Sequence, residues 1–189
     1  MARAGAAVHA TSMAIYRHFR DGADLADAIL GAVLADVSED IPGEADWQTQ
    51  VRAWMQGVYR RLLSTPQCVR MIATVNGPSP SWVRASVPLS RCLTRTGLQG
   101  PERAEMMFWI GVTVAGFAQQ TLAAPLTRQI DGTLATIASL GPQEVAALSP
   151  FVTEIPRIFS RPFDIMIERT LASVERLVEL KLPQRPAKN

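Results

Sequence analysis

The chain has 189 residues, of which 48% are hydrophobic and 19% are charged, and it contains only two tyrosines. This composition favours a helical globular protein over a β protein or a disordered chain. The formal net charge is only +2. The first twenty residues contain three arginines and no acid, so they account for all of the excess positive charge. This distribution favours a polyanionic partner only weakly.

The first 38 residues predict short helices that are separated by a turn. Residues 2–7 and 11–19 form the expected pair, and residues 8–10 form the turn. A longer helix at 23–37 follows, with Asp21 as its cap and with an inner face of Leu25, Ile29, Leu30, Val33 and Leu34. This arrangement predicts a helix-turn-helix.

Further helices are predicted at 47–63, 67–75, 81–96, 102–124 and 162–182, with shorter ones between 126 and 159. These helices are expected to begin or end at glycines and prolines, namely Gly77-Pro78, Gly97, Gly141-Pro142 and Pro150. The helix at 47–63 has the clearest amphipathic pattern, with Asp46 before it and Ser64-Thr65-Pro66 after it. Its apolar face is Trp47, Val51, Trp54, Met55, Val58, Tyr59, Leu62 and Leu63.

Residues 106–127 form a run without a charge, which is long enough to cross a bilayer. The run contains Thr113, Gln119 and Gln120, and Pro125 lies near its end. We therefore expect a helix that is buried on nearly all sides and no membrane partner.

The cysteine and histidine content argues against a metal site and against catalysis. Cys68 and Cys92 are the only cysteines, and the two histidines, His9 and His18, lie far from them in sequence. These residues do not supply zinc spacing, and no acid–base or nucleophile set and no phosphate loop is evident. We predict a reduced, cytoplasmic protein that is not an enzyme and that needs no cofactor.

The segment ATSMAIYRHFRDGADLADAIL, residues 10–30, carries the most specific motif of the chain. Its Tyr16-Arg17-His18-Phe19 resembles the end of the recognition helix in the tetracycline-repressor (TetR) family of transcription regulators, where a long helix follows and leads to the ligand domain. Thr65-Pro66 and Ala115-Gly116-Phe117 resemble the family more loosely, in the same order along the chain.

The resemblance implies a DNA-binding role for the exposed side of residues 11–18. Hydroxyl and arginine groups would contact phosphates or base edges, and methyl groups would contact thymine. The implied DNA-binding residues are Thr11, Ser12, Met13, Tyr16, Arg17 and His18. Phe19 is expected in the core, and a capping role for Thr11 or Ser12 remains an alternative.

Large, adaptable apolar side chains in the later helices indicate a site for a small hydrophobic ligand. For any one of them alone, an ordinary core position is the better interpretation, and only the group as a whole indicates a ligand. The candidate ligand-binding residues are Trp54, Met55, Tyr59, Met71, Trp82, Met106, Trp109 and Phe117. A metal–tetracycline complex is disfavoured, because no histidine follows His18.

The helices at 102–124 and 162–182 resemble the pair that forms the family's dimer, a four-helix bundle. Small residues of the first helix permit close approach, and the last helix has an apolar stripe that could instead face its own core. The candidate interface residues are Gly111, Ala115, Phe163, Ile167, Leu171, Val174 and Val178. A homodimer on two half-sites of operator DNA would follow.

The expected organisation is a partial helix-turn-helix domain with its linking helix at 1–38, a helical ligand-binding and dimerisation domain at 39–182, and a disordered tail at 183–189. The family's first helix has no counterpart upstream of the motif, so the sequence looks truncated at its N-terminus. His9 stands where the family commonly has Gly, and Gly22 where it usually has Lys.

Together these features predict a ligand-responsive transcriptional regulator, foremost a repressor that a small hydrophobic molecule releases from its operator. The alternative is a helical, small-molecule-binding dimer that has lost tight DNA binding.

Overall fold

Residues 18–72 and 79–181 are described by this computed structural model, and within them the chain is helical without a β-strand. The predicted all-α fold is confirmed. The helices of this part are α1 (Gly22–Leu34), α2 (Trp47–Ser64), α3 (Pro66–Ile72), α4 (Pro80–Ala85), α5 (Val87–Thr94), α6 (Gly100–Ala123), α7 (Leu126–Ala138), α8 (Pro142–Ser160) and α9 (Pro162–Lys181), with a 3₁₀ helix at Val37–Asp40. The chain divides into two compact units between Arg95 and Thr96.

Helix α1 begins at the predicted cap. The Asp21 carboxylate accepts a hydrogen bond of 2.8 Å from the backbone N–H of Asp24, which satisfies one of the donors exposed at a helix start. The helix ends at Leu34, three residues before the predicted end, and the chain turns into the 3₁₀ helix, whose Val37 is buried.

The buried side of α1 is narrower than predicted. It consists of Ala26, Leu30 and Leu34, which repeat every fourth residue along one row of the helix. Leu25, Ile29 and Val33 form the neighbouring row and remain partly exposed, so the predicted inner face is correct only for Leu30 and Leu34.

Helix α2 has the predicted bounds within one residue and forms the core of the first unit. Asp46 caps it by accepting a 2.7 Å hydrogen bond from the backbone N–H of Thr49, and α3 begins at Pro66. The fully buried apolar side chains of α2 are Val51, Trp54, Met55, Val58 and Leu62. Within this unit α2 packs against α5, the 3₁₀ helix, α3 and α1, and α1 packs against α4.

The single helix predicted at 81–96 is wrong, because the structure has two helices there. Pro88 has no N–H to give to the carbonyl of Arg84, so the helix is interrupted at Ser86. The Ser86 hydroxyl donates to the carbonyl of Trp82 at 2.9 Å and helps to close α4.

In the second unit, α6 contacts α9, α9 contacts α8, and α8 contacts α7. Met106, Ile110, Val114 and Ala118 form a buried row along α6 at four-residue spacing. From α9 the core receives Ile167, Leu171 and Val174, and the rings of Phe117 and Phe163 meet with centroids 5.4 Å apart.

The uncharged run at 106–127 predicted a helix that is buried on nearly all sides. Helix α6, which contains most of this run, is instead exposed on one side. Phe108, Trp109 and Val112 are 73%, 55% and 54% exposed, on the side away from the buried row. The absence of charge therefore marks an apolar surface here and not only a core. No helix within the described ranges is long and apolar enough to traverse a lipid bilayer.

Pro150 does not end a helix, although the sequence predicts a break there. Helix α8 continues through both Pro150 and Pro156. A proline removes one main-chain hydrogen bond and disfavours helical geometry before it, which weakens a helix locally without always ending it.

Several predicted features lie outside the described residues. They are the helix at 2–7, the turn at 8–10, residues 11–17 of the second helix, the Gly77-Pro78 stop and the tail at 183–189. The domain boundary predicted at residue 38 stays a prediction.

Candidate functional site

The DNA-binding candidates lie at the start of the described chain or before it. Thr11, Ser12, Met13, Tyr16 and Arg17 lie outside the described residues. His18 is exposed in the turn that leads into α1, and Phe19 is half-buried. His18 and Phe19 are therefore not helical, although the sequence placed both within the second helix.

The entry into α1 is held by local ionic contacts. The Arg20 guanidinium lies 3.4 Å from the Asp24 carboxylate, whose other oxygen accepts a 3.1 Å bond from the backbone N–H of Arg20. Hydrogen bonds from the Arg20 backbone and side chain lower the pKa of Asp24. Arg20, two residues before α1, is thus tied to the first turn of that helix.

Two candidate ligand-binding tryptophans meet in the first unit. The rings of Trp54 and Trp82 lie edge to face, with centroids 6.4 Å apart. The Trp54 indole N–H donates a buried 2.8 Å hydrogen bond to the carbonyl of Ala85. Trp54 and Met55 are fully buried, while Trp82 and Tyr59 are half-buried. The Trp54–Trp82 contact and the Trp54–Ala85 hydrogen bond join α2 to α4.

The remaining ligand candidates are more dispersed. Met106 is buried and Phe117 is half-buried in the second unit, whereas Trp109 is mostly exposed. Met71 belongs to α3, but its side chain lies outside the described part. None of the other seven candidates lines the two cavities described next.

One cavity, of about 630 Å³, is an open groove along α7 and α8 in the second unit, and it is lined in part by Gly132, Ile137, Leu148 and Phe151. The other, of about 400 Å³, lies in the first unit beside the C-terminal part of α1. Its walls come from α1, the 3₁₀ helix, α4 and α5. Both volumes fall within the usual range of small-molecule sites.

The candidate dimer residues are mostly internal to one chain. Gly111, Ile167, Leu171 and Val174 are buried, and Ala115, Phe163 and Val178 are half-buried. Buried side chains have little surface left for a partner, so any interface on these helices must use their exposed neighbours. The apolar side of α6 formed by Phe108, Trp109 and Val112 is such a neighbour.

Sequence reasoning missed a polar cluster that joins α1 to α4. The Asp27 carboxylate accepts hydrogen bonds from the Ser79 hydroxyl at 2.5 Å, the Ser81 hydroxyl at 2.8 Å and the Ser81 backbone N–H at 3.1 Å. The Arg84 guanidinium lies 4.0 Å away. We refer to Asp27, Ser79, Ser81 and Arg84 as the Asp27 joint.

Two sequence features that lie far apart in the chain could have indicated the Asp27 joint. An acid on the inner half of an amphipathic helix needs a partner when it is partly buried, and Ser79-Pro80-Ser81 is a typical helix start. The pairing itself spans more than fifty residues and depends on how the helices pack. Among the described residues, no group of three or more His, Cys, Asp or Glu side chains is placed to hold a metal.

No protein-family model and no curated protein matches this sequence. Solved structures do match. A possible TetR-family transcriptional regulator from Streptomyces coelicolor A3(2) superimposes with a TM-score of 0.72 at 18% identity, over 93% of this chain and 88% of that one. Apo ActR from Streptomyces coelicolor gives a TM-score of 0.73 at 17% identity, over 93% and 84%.

ActR in complex with actinorhodin, from the same organism, matches with a TM-score of 0.70 at 16% identity, over 93% of this chain and 86% of that one. At these identities the likeness concerns the fold. The chain therefore has the TetR-family fold that its YRHF segment predicted.

Proposed function

We propose that this chain is a ligand-responsive transcriptional regulator that binds operator DNA as a cytoplasmic homodimer. The observation that carries the proposal is the likeness to TetR-family structures over more than nine-tenths of the chain. No enzymatic activity is proposed.

DNA contact is assigned to residues 11–18, with Tyr16 and Arg17 as the principal phosphate or base contacts. This segment leads directly into the capped start of α1, where Arg20 and Asp24 are paired. A displacement of α1 would therefore move the DNA-binding segment with it. Two such segments, one per protomer, would read two half-sites.

The effector is proposed to be a small hydrophobic molecule. One of the matching structures is that of ActR in complex with actinorhodin, which supports a ligand-binding role for this fold. For release from DNA, the effector must bind the DNA-incompetent arrangement more tightly than the competent one. Repression, rather than activation, is the form of regulation proposed.

The homodimer is supported by the apolar side of α6. Phe108, Trp109 and Val112 expose more than half of their surface each, on one side of a long helix. Contiguous large apolar side chains at a surface are typical of protein interfaces. Ala115, which is only half-buried, would allow the partner helix to approach closely.

The DNA-binding proposal is tested by a gel shift with duplex from the region upstream of the protein's own gene. Tyr16→Ala and Arg17→Ala should each lower the affinity about tenfold or more, with helicity unchanged in circular dichroism. Arg91→Ala, an exposed arginine of α5, is the matched control and should bind as wild type does. Wild-type affinity in both of the first two variants would contradict the assignment.

The alternative function makes a different prediction in the same assay. A dimer that binds a small molecule but shifts no duplex, at low salt as well as at physiological salt, would favour a helical binding protein without tight DNA binding.

A further inference from the structure

The Asp27 joint fixes α1 against α4 by polar contacts within the first unit. Asp27 receives three hydrogen bonds from Ser79 and Ser81, and the residue Ser81 is 4% exposed. Hydrogen bonds to a partly buried carboxylate are stronger than those between neutral groups. The position of α1 is therefore sensitive to anything that competes for these partners.

A close approach of the two helices strengthens this dependence. A Cβ atom added at Gly31 would lie 2.7 Å from the Ser81 hydroxyl, so the absence of a side chain at Gly31 lets α4 pack directly on α1. A small outward movement of Ser81 therefore opens space along α1.

The cavity of about 400 Å³ adjoins this contact. Gly31, Ser81 and Arg84 belong both to the cavity wall and to the contact region just described. The rest of the wall is mainly apolar and includes Leu34, Val37 and Ala85, which are buried residues. An occupant of this cavity would thus contact an apolar wall and the polar joint at once.

Arg84 supplies the charge at the cavity mouth. Its side chain is 74% exposed, and its described contacts are the 4.0 Å approach to Asp27 and a 3.3 Å hydrogen bond to the Ser81 hydroxyl. A guanidinium has five N–H donors in a planar fork that fits a carboxylate. Most of these donors are not used by the described residues.

We propose that this cavity is an effector site for a small amphipathic carboxylate, whose apolar body lies against Leu34, Val37 and Ala85 and whose carboxylate binds Arg84. The bound carboxylate competes with Asp27 for Arg84 and repels Asp27, which loosens the joint and releases α1. The effect on DNA rests on the function proposed above, whereas the site itself does not.

The site is tested by calorimetric titration of the full chain with 2-naphthoate, using 2-naphthamide as the neutral match. Naphthoate should bind saturably and about tenfold more tightly than the amide, and Arg84→Gln should remove that difference. Arg91→Gln, outside the cavity wall, should leave it unchanged. Ala35→Leu, which extends a side chain into the cavity, should abolish binding with the fold intact in circular dichroism.

The coupling is tested without DNA by Asp27→Asn. This variant keeps a hydrogen-bonding side chain but removes the competing charge, so naphthoate should bind about fivefold more tightly to it than to wild type. Equal affinity for naphthoate and the amide, no effect of Arg84→Gln, no saturable binding up to millimolar concentration, or no gain in Asp27→Asn would each overturn the proposal.

A gel shift separates this proposal from the proposed function. If wild type binds duplex, naphthoate should lower its affinity and should have no effect on Arg84→Gln. If wild type binds no duplex while the calorimetric results hold, the regulator function fails and the carboxylate site stands. If duplex binding is lowered by naphthoate equally in Arg84→Gln, the effector site proposed here is wrong.

Discussion

The carboxyl group of Asp27 makes the stability of the protein depend on pH. Burial acts to raise its pKa, but the hydrogen bonds from Ser79 and Ser81 act in the opposite direction and prevail, so that the pKa lies below its ordinary value. A carboxyl with a lower pKa in the folded state stabilises the fold above its unfolded pKa, about 3.9. This contribution is lost as the pH falls through the folded pKa.

We therefore expect Asp27→Asn to flatten the acid limb of the stability profile. The free energy of unfolding of wild type, measured with urea from about pH 6 down to about pH 3, should fall more steeply than that of the variant. Asp131→Asn, an exposed position on α7, serves as the control and should keep the wild-type slope. Parallel slopes for wild type and Asp27→Asn would show that the joint contributes nothing to this dependence.

The two cysteines should be chemically inert in the folded protein. Cys68 and Cys92 are 1% and 4% exposed. Burial raises the pKa of both thiols, and for Cys92 the nearby Arg95 opposes this in part. Because the thiolate is the reactive form, labelling with a disulfide reagent should be slow in native buffer and complete in denaturant. Rapid native labelling of either Cys68→Ser or Cys92→Ser would contradict the burial of the remaining thiol.

At the scale of elements, Gly57 of α2 makes room for an ionic contact. A Cβ atom there would lie 2.4 Å from a carboxylate oxygen of Asp40. Asp40 pairs with Arg61, and Arg60 lies 3.2 Å from the same oxygen. The side chain of Asp40 is short, so it can avoid a new methyl group only by leaving its arginine partners.

This contact predicts opposite outcomes for two glycine substitutions. Gly132→Ala in α7, where an added Cβ meets nothing within 4 Å, should stabilise the protein by about 0.5–1 kcal/mol through helix propensity. Gly57→Ala gains the same propensity but displaces Asp40, so its free energy of unfolding should not rise. Thermal and urea unfolding measure both, and equal stabilisation of the two variants would contradict the role assigned to Gly57.

Local signals predicted the helices well where caps and periodicity agree, as in α1 and α2. Asp21 and Asp46 each cap a helix by accepting a hydrogen bond from the backbone N–H three residues later, so the sequence alone predicts their role. The Asp27 joint and the Trp54–Ala85 hydrogen bond connect residues that are far apart in the chain. The hydrophobic periodicity of a helix does not indicate which distant residues will meet. The uncharged part of α6, from Met106 onward, shows the same limit, because an apolar residue gives the same sequence pattern whether it faces a core or a partner.

At the scale of the whole molecule, the exposed side of α6 argues for association. A monomer that leaves Phe108 73% exposed and Trp109 55% exposed in water would retain apolar area that association can bury, at about 25 cal/mol per Å². Part of this gain offsets the loss of translational freedom, so the stability of a dimer depends on how many such side chains the partner covers.

Phe108→Asp tests this directly, because the side chain is exposed in the single chain and its loss should not disturb the core. We expect the variant to sediment as a monomer at concentrations where wild type is a dimer, with unchanged helicity. Leu134→Asp on α7, where the apolar side chain is 40% exposed, is the matched control and should remain dimeric. The proposed binding to two half-sites needs two protomers, so under that proposal Phe108→Asp should also weaken duplex binding, and more so at low protein concentration. A wild type that sediments as a monomer, or a Phe108→Asp variant that dimerises as wild type does, would remove α6 from the interface.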